Sequence, residues 1–411
     1  MFDAGQNAAA LKDGNGASAP SLRELNRRRV VDVLREVGVA SRADIARATG
    51  LSRSTISSLV SEMRESGLVV DHPSPEQGDR PPAGRPPALI GLGRPAGAAI
   101  GIDFGKRHLA VAIADLAHIV LAEARREIPE DLHAAEAMDS AAELVDEVLG
   151  AARMSRGDVI GVGLGLPGPI HRRTGRAASP EILPGWVGLR IQEEMEDRLD
   201  LRVQADNDAN LGALAELFWG AGQDAADLIY IKVATGVGAG LVVGGRLFHG
   251  VGGTAGEIGH ATIDEQGPIC RCGNRGCLET FAAAPAIVDL LRRSLGHDLT
   301  IEAIVERARD GDAGCRRAIA DSGRHIGRVL ADVCNLLNPQ RVVVGGSVGQ
   351  AGDVLLDEMR EVVRRTALPT AAEDVEIVPG VLGERAEVLG AVALILGTVE
   401  EPALRAAGAG R

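Results

Sequence analysis

Three cysteines fall within eight residues, Cys270, Cys272 and Cys277, and His260 stands ten residues before the first. No other feature constrains the folding of this chain so tightly, because three thiolates and one imidazole complete a tetrahedral Cys₃His shell. Cys270 and Cys272 are close enough to grip one ion from a tight turn. Gly273 and Gly276 let the chain curl so that Cys277 closes the shell. Four protein ligands leave no open position, so the expected metal is one structural zinc per chain rather than a hydrolytic one. The competing reading is a set of unligated buried thiols, which such close spacing disfavours. The other two cysteines, Cys315 and Cys334, lie on helical stretches and read as core packing. An odd count crowded in this way is not a secreted disulfide framework.

Composition narrows the rest. The chain has 411 residues, 45% apolar but only 2% aromatic, so its core must be built from Ala, Val, Leu and Ile. That suits buried parallel strands and helices of small residues. The net charge of −13 argues against a protein that coats nucleic acid everywhere. The charge is uneven, however: residues 1–95 carry a net +2 and the remainder a net −15. A local nucleic-acid contact on an acidic body is the reading this asymmetry favours. The first residues lack the basic and apolar regions of a signal peptide. No apolar run reaches the ~18–20 residues of a membrane span. A cytoplasmic protein is expected.

Residues 1–20 are small and polar and read as a disordered tail. From Ser21 a helical spacing begins, with Leu22, Leu25, Val30, Val33 and Leu34 on one face and Arg27, Arg28 and Arg29 adding charge. Ser41 then caps a short helix from Arg42 to Thr49, and Gly50 ends it. Ser52 caps a third helix, Arg53 to Ser66, with Ile56, Leu59, Val60 and Met63 as its apolar stripe. Leu68-Val69-Val70 and Ala88 to Leu92 read as two strands around a charged Pro/Gly loop, His72 to Pro87. This order makes a winged helix-turn-helix over residues 21–94. Ser52, Arg53, Ser54, Thr55 and Ser57 open the second helix of the motif, where recognition helices meet base edges and phosphates. Arg42 and the wing's Arg80 and Arg85 are further contacts for DNA. A small helical bundle that binds a protein is the bland alternative.

From Ala98 the pattern switches to alternating strands and helices, an α/β architecture. Strands are expected at Ala99–Phe104, Leu109–Asp115, Val159–Leu166, Leu228–Val233, Gly240–Val243 and Arg341–Val344. Helices are expected over Ala134–Arg153, Ala209–Trp219, Ala283–Ser294, Ile301–Ala308, Cys315–Leu337 and Ala386–Leu396. No short-period repeat is evident.

The segments Asn207-Asp208-Ala209-Asn210, Ala234-Thr235-Gly236-Val237-Gly238-Ala239-Gly240 and Gly256-Glu257-Ile258-Gly259-His260 stand with the knuckle ending in Leu278-Glu279 and with Val344-Gly345-Gly346-Ser347. Together they resemble the ROK family of repressors, uncharacterised reading frames and sugar kinases, over roughly residues 21 to 398. The winged helix places the resemblance with the regulators. It implies a two-lobed, actin-like (ribonuclease-H-like) sugar-kinase fold over 95–411. Lobe 1 would hold about 95–208 plus 386–411, and lobe 2 about 209–385. A sugar would lie in the cleft, held by Asn207, Asp208, Glu257, His260 and Glu279. A sugar hydroxyl both donates and accepts, which suits carboxylates and imidazole. His260 would bind sugar through one ring nitrogen and zinc through the other.

Two departures from the kinases bear on activity. Where the kinases carry Asp-x-Gly-Gly-Thr this chain has Asp103-Phe104-Gly105-Lys106-Arg107, whose large side chains break a phosphate cradle. Ala234 also replaces a glycine in the second loop. Asp208 matches the kinase general base, but the same carboxylate can simply hydrogen-bond a sugar. The expectation is a sugar-responsive, DNA-binding repressor of carbohydrate genes without kinase activity. It would take a sugar or sugar phosphate as effector and bind operator DNA as a homodimer or homotetramer. The alternative is an ATP-dependent, glucokinase-like sugar kinase with an appended DNA-binding domain. A third possibility is a regulator that relays a protein signal.

Overall fold

A computed structural model describes residues 26, 29–31, 33–34, 37–65, 69–72, 88–92, 97–116, 118–129, 132–171, 176–177, 186 and 188–408. The expectations for residues 1–20, Leu22, Leu25, Arg27, Arg28, Arg80 and Arg85 lie outside them. The chain divides into two compact units, Met1–Leu92 and Gly93–Arg411.

In the first unit, β1 (Val39–Ser41) leads into α1 (Arg42–Thr49) and α2 (Arg53–Glu65), followed by β2 (Val69–His72) and β3 (Leu89–Leu92). Ser41 starts α1 with a reciprocal cap. The Asp44 amide donates to Ser41 Oγ at 3.2 Å, and the Ser41 amide donates to the Asp44 carboxylate at 3.2 Å. Gly50 closes the helix at φ 71°, and its amide donates to the Ala46 carbonyl at 3.1 Å. Ser52 Oγ then accepts from the Thr55 amide at 3.1 Å, which starts α2. Ile45, Ile56, Leu59, Val60 and Met63 are buried together with Val30, Leu34, Val69 and Ile90. The sequence indicated two strands. The structure adds a third, since β3 pairs antiparallel with both β1 and β2. Three residues are too short for a periodic signal, so β1 escaped the reading.

The second unit holds two five-stranded sheets. The first contains β4 (Ala98–Phe104), β5 (His108–Asp115), β6 (Val120–Glu127), β7 (Val159–Leu166) and β10 (Val203–Asn207), in the order β10-β7-β4-β5-β6. Two short strands, β8 (Ile170–His171) and β9 (Arg176–Ala177), pair separately. The helices of this half are α3 (Ala134–Ala152) and α4 (Ile191–Leu199). The second sheet contains β11 (Leu228–Val233), β12 (Val237–Val243), β13 (Arg246–Leu247), β14 (Arg341–Gly345) and β15 (Glu376–Pro379), in the order β13-β12-β11-β14-β15. Between the sheets runs α5 (Asp208–Trp219). After β13 come α6 (Glu279–Ala282), α7 (Ala284–Leu295), α8 (Ile301–Arg309) and α9 (Ala313–Leu337). The chain then forms α10 (Gly346–Gly349), α11 (Asp353–Thr366) and α12 (Pro369–Asp374), and ends in α13 (Ala386–Gly408).

Each sheet is an antiparallel meander followed by two parallel strands added beside its first strand. Missing aromatics are offset by close backbone approach. A Cβ on Gly163 of β7 would stand 1.8 Å from the Ala391 carbonyl of α13, and one on Gly390 of α13 1.8 Å from that of Leu211 in α5. The last helix therefore lies directly on the first sheet and on α5. Among the described residues no helix is long and apolar enough to cross a membrane.

Candidate functional site

The segment from Glu257 to Glu279 folds as a knuckle. Ile258–His260 makes one 3₁₀ turn after Glu257. The Cys270 amide donates to the Asn274 carbonyl at 2.7 Å and the Gly273 amide to that of Cys270 at 3.0 Å, which bends the Cys270–Cys272 turn. Gly276 sits at φ 68°, and a Cβ there would stand 1.5 Å from the Asp264 carbonyl oxygen, so only glycine fits. The result gathers His260, Cys270, Cys272 and Cys277, whose ligand atoms all lie within 4.8 Å of one another. Cys272 Sγ is 3.7 Å from Cys277 Sγ, and Cys270 Sγ is 3.7 Å from His260 Nδ1. Metal–sulfur bonds of about 2.3 Å and metal–nitrogen bonds of about 2.0 Å place tetrahedral ligands roughly 3.5–3.8 Å apart, so the four residues fit one metal ion. Burial pushes the Cys270 and Cys277 thiols up, so a cation is what would hold them as thiolates.

His260 faces two ways. Nδ1 points to Cys270, while Nε2 lies 3.7 Å from Glu257 Oε2. Burial, with the nearby carboxylates of Asp208 and Glu279, pushes Glu257 up to about 7. Glu279 accepts from Cys270 Sγ at 3.0 Å and is gripped by Arg271, with Nε–Oε1 3.0 Å and Nη2–Oε2 2.6 Å. Burial opposes ionisation of Glu279, but Arg271 and Cys270 outweigh it and hold the carboxyl below its usual range. A Cβ on Gly236 would lie 2.7 Å from Arg271 Nη2, so the turn between β11 and β12 rests against this pair.

Asp208 opens α5. Its Oδ1 accepts from the Ala209 amide at 2.9 Å, and its Oδ2 accepts from Lys232 Nζ at 3.0 Å. Asn207, 5% exposed, caps the same helix, and its Oδ1 accepts from the Asn210 amide at 2.7 Å. That oxygen is therefore engaged in the fold. Asp206, one residue earlier, takes His249 Nε2 at 2.6 Å. The structure thus brings Asp208, Glu257, His260 and Glu279 into one neighbourhood, with Asn207 buried at its edge.

The sequence reading missed Arg271, Lys232 and His249. The first two carried a signal: Arg271 stands between Cys270 and Cys272, and Lys232 is a lone cation in the otherwise apolar run Leu228–Val233. It also missed His108. The turn Gly105-Lys106-Arg107 joins β4 to β5, and His108 folds its ring over Gly105 so that Nε2 meets Asp103 Oδ2 at 2.8 Å.

In the first unit Arg42 opens α1 and Arg53 opens α2. Arg42, Ser52, Arg53, Ser54 and Ser57 are exposed, and Thr55 is half-buried. Ser52 Oγ lies 2.8 Å from both Ser54 Oγ and Thr55 Oγ1, so these hydroxyls form one cluster at the start of α2.

Comparison with known proteins matches both units. Residues 25–78 match the MarR family and residues 99–398 the ROK family. The chain is 29% identical over 391 residues to a xylose repressor of Caldicellulosiruptor bescii, covering 91% of this chain and 96% of that protein. It is 31% identical over 392 residues to the DNA-binding transcriptional dual regulator NagC of Escherichia coli, covering 91% and 93%. The crystal structure of a ROK family transcriptional regulator, a homologue of the E. coli MLC protein, superposes with a TM-score of 0.71 at 28% identity. That match covers 92% of this chain and 98% of the other. With both the sequence pattern and the two-sheet fold in agreement, the chain belongs to the ROK family.

Proposed function

We propose that this protein is a sugar-responsive transcriptional repressor acting in the cytoplasm. Its first unit reads operator DNA, and its second unit binds a sugar or sugar phosphate beside a structural zinc. The observation that carries the reading is His260, which turns Nδ1 to the cysteines and Nε2 to Glu257. One side chain thereby links a metal shell to a carboxylate pocket suited to hydroxyl groups. His260, Cys270, Cys272 and Cys277 hold the zinc. Bound there, it supplies no chemistry beyond fixing the knuckle, because the shell is closed. Asp208, Glu257, His260 and Glu279 receive the sugar, with Asn207 supporting the wall from its cap position. Arg42, Ser52, Arg53, Ser54, Thr55 and Ser57 face DNA, joined by Arg85, which lies outside the described residues. Two or four copies bind a near-palindromic site, since a single winged helix offers little contact area. The lobes follow the two sheets, with α13 returning to the first.

The family also holds sugar kinases, and Asp208 stands where their general base stands. Two features favour a sensor without turnover. His108 seals the β4–β5 turn onto Asp103, and Lys232 occupies one oxygen of Asp208. Sugar binding then acts by favouring one of two arrangements according to its differential affinity.

The test uses a duplex selected from a random pool by the full-length protein. Arg53→Ala should weaken specific binding by ~1–3 kcal/mol if the guanidinium contacts a base. Adding D-glucose, D-xylose or N-acetyl-D-glucosamine should release the duplex, with no ADP formed from ATP. Unchanged sequence preference in Arg53→Ala would count against the recognition helix. ATP-dependent turnover of the tightest-binding sugar, lost in Asp208→Asn, would establish the kinase instead.

A further inference from the structure

The side chains of β11 alternate. Ile229, Ile231 and Val233 enter the core on one side of the sheet, while Leu228 and Tyr230 pack on the side that meets α5. A Cβ on Gly212 of α5 would stand 2.2 Å from the Tyr230 ring, so strand and helix touch there. Lys232 continues this second row to the point where α5 begins. Its ladder neighbours are Gly238 on β12 and Gly345 on β14, so neither adjacent strand places a side chain beside it. Lys232 Nζ lies 3.0 Å from Asp208 Oδ2 and 2.8 Å from Glu387 Oε1. Burial works against its charge, but Asp208, Glu387 and Asp103 outweigh it and hold the ammonium well above its ordinary range. Glu387, 6% exposed, lies in the first turn of α13. That helix rests on the first sheet, where a Cβ on Gly101 would stand 2.2 Å from the Val388 carbonyl oxygen. One ammonium of the second sheet is therefore shared between the cleft carboxylate and the helix that covers the first sheet.

We propose that Lys232 is the positioning residue of the sugar cleft, fixing Asp208 and making its hold on a sugar hydroxyl depend on Glu387 of α13. The inference rests on the sugar-cleft reading above. With Lys232 on Oδ2 and the Ala209 amide on Oδ1, the Asp208 carboxylate is held at both oxygens. It offers its remaining lone pairs in a fixed direction. Glu387 anchors the ammonium from behind, and without it Lys232 is free to move toward Asp208 and turn the carboxylate. Linkage is reciprocal, so a sugar on Asp208 changes how firmly Lys232 holds α13.

Calorimetric titration of the full-length protein with D-glucose, D-xylose and N-acetyl-D-glucosamine tests this in a four-protein cycle. Glu387→Gln should weaken the tightest of the three sugars by about tenfold although it lies behind Lys232. In a Lys232→Met background the same change should alter affinity by less than about twofold. Equal losses in both backgrounds would overturn the inference, because a structural role alone gives additive effects. Should Lys232→Met not fold, Lys232→Arg replaces it. A guanidinium can hold Asp208 by its own two-pronged contact, so the Glu387→Gln loss should shrink there. An undiminished loss would overturn the inference as well. Wild-type protein that binds none of the three sugars would take down the sugar-cleft reading itself, and a cycle that fails while wild type binds takes down only Lys232's role.

Discussion

The two sheets of the second unit follow the same strand order, but their leading hairpins are finished in opposite ways. In β4 Asp103 lies one residue before the strand ends and pairs across the parallel ladder with Gly165. In β11 Lys232 holds the same place and pairs with Gly345. Equivalent positions thus carry opposite charges within electrostatic reach of each other. Asp103 is satisfied by His108 from its own hairpin, and that turn is closed by its own side chains. Lys232 takes its partners from α5 and α13, and its turn instead leans on the Arg271–Glu279 pair of the knuckle. A repeated topology supplies two equivalent frameworks. The side chains at the strand ends decide which half is self-contained and which half responds to its surroundings.

Among the described residues the Cys/His knuckle belongs to the second half alone, and disrupting it should have the largest effect. Cys277→Ser removes a buried thiol of the knuckle, and the proposed zinc should be lost, measured by elemental analysis of the purified protein. Hydrogen exchange should then speed up over Glu257–Glu279 and the β11–β12 turn, while β4, β5 and β7 keep their protection. Sugar affinity should fall as well, because His260 loses the metal that fixes its ring toward Glu257. Equal loss of protection in both sheets would show that the halves are not separable. Wild-type protein purified without chelators and free of zinc would remove the metal from the account.

A second test strikes the first half. Gly163→Ala would place a methyl carbon 1.8 Å from the Ala391 carbonyl, where backbone meets backbone and no side chain can swing aside. Overpacking typically costs ~1–3 kcal/mol, and this site should reach the upper end by denaturant unfolding. The metal content should stay unchanged. A neutral effect would mean that α13 does not press on β7 at Gly163.

The contrast between the halves also explains what the sequence could convey. Capping serines, left-handed glycines and close-set thiols are local signals, so Ser41, Gly50, Ser52 and the Cys270–Cys277 knuckle were legible from spacing alone. The family motifs likewise pointed to Asp208, Glu257, His260 and Glu279. β6 was missed because Val120–Glu127 mixes Glu123, Arg125, Arg126 and Glu127 into its alternation, as an edge strand permits. The short β10 and β15 did not stand out because Gln204, Asp206 and Asn207 in one, and Glu376 and Pro379 in the other, leave no apolar run like Val342-Val343-Val344 of β14. The strand repeat between the halves appears in strand order and not as a repeated sequence motif. Lys232 and Glu387 lie far apart in the chain, and only the packing of α13 beside α5 brings them together. A pairing of that range has no signature in one sequence.

The smallest expected effect comes from the feature that first argued against catalysis. Lys106 and Arg107 looked like the residues that break the phosphate loop, yet the structure puts a second obstacle behind them. The Gly105 amide donates to the His108 carbonyl at 2.9 Å, and the His108 ring covers Gly105 where a nucleotide phosphate would need bare backbone. Replacing both with glycine should therefore leave sugar affinity within about twofold, as expected for charges at a surface turn. ADP release should stay at background, because His108 still holds Asp103 and Lys232 still holds Asp208. A misplacement of about 1 Å already costs ~10²-fold in a transfer step. Adding His108→Ala should open the turn without changing the metal content, and turnover should remain absent while Lys232 keeps its grip. ATP turnover from the double glycine variant alone would show that the two large side chains were the whole barrier, and that the two hairpins differ less than their contacts indicate.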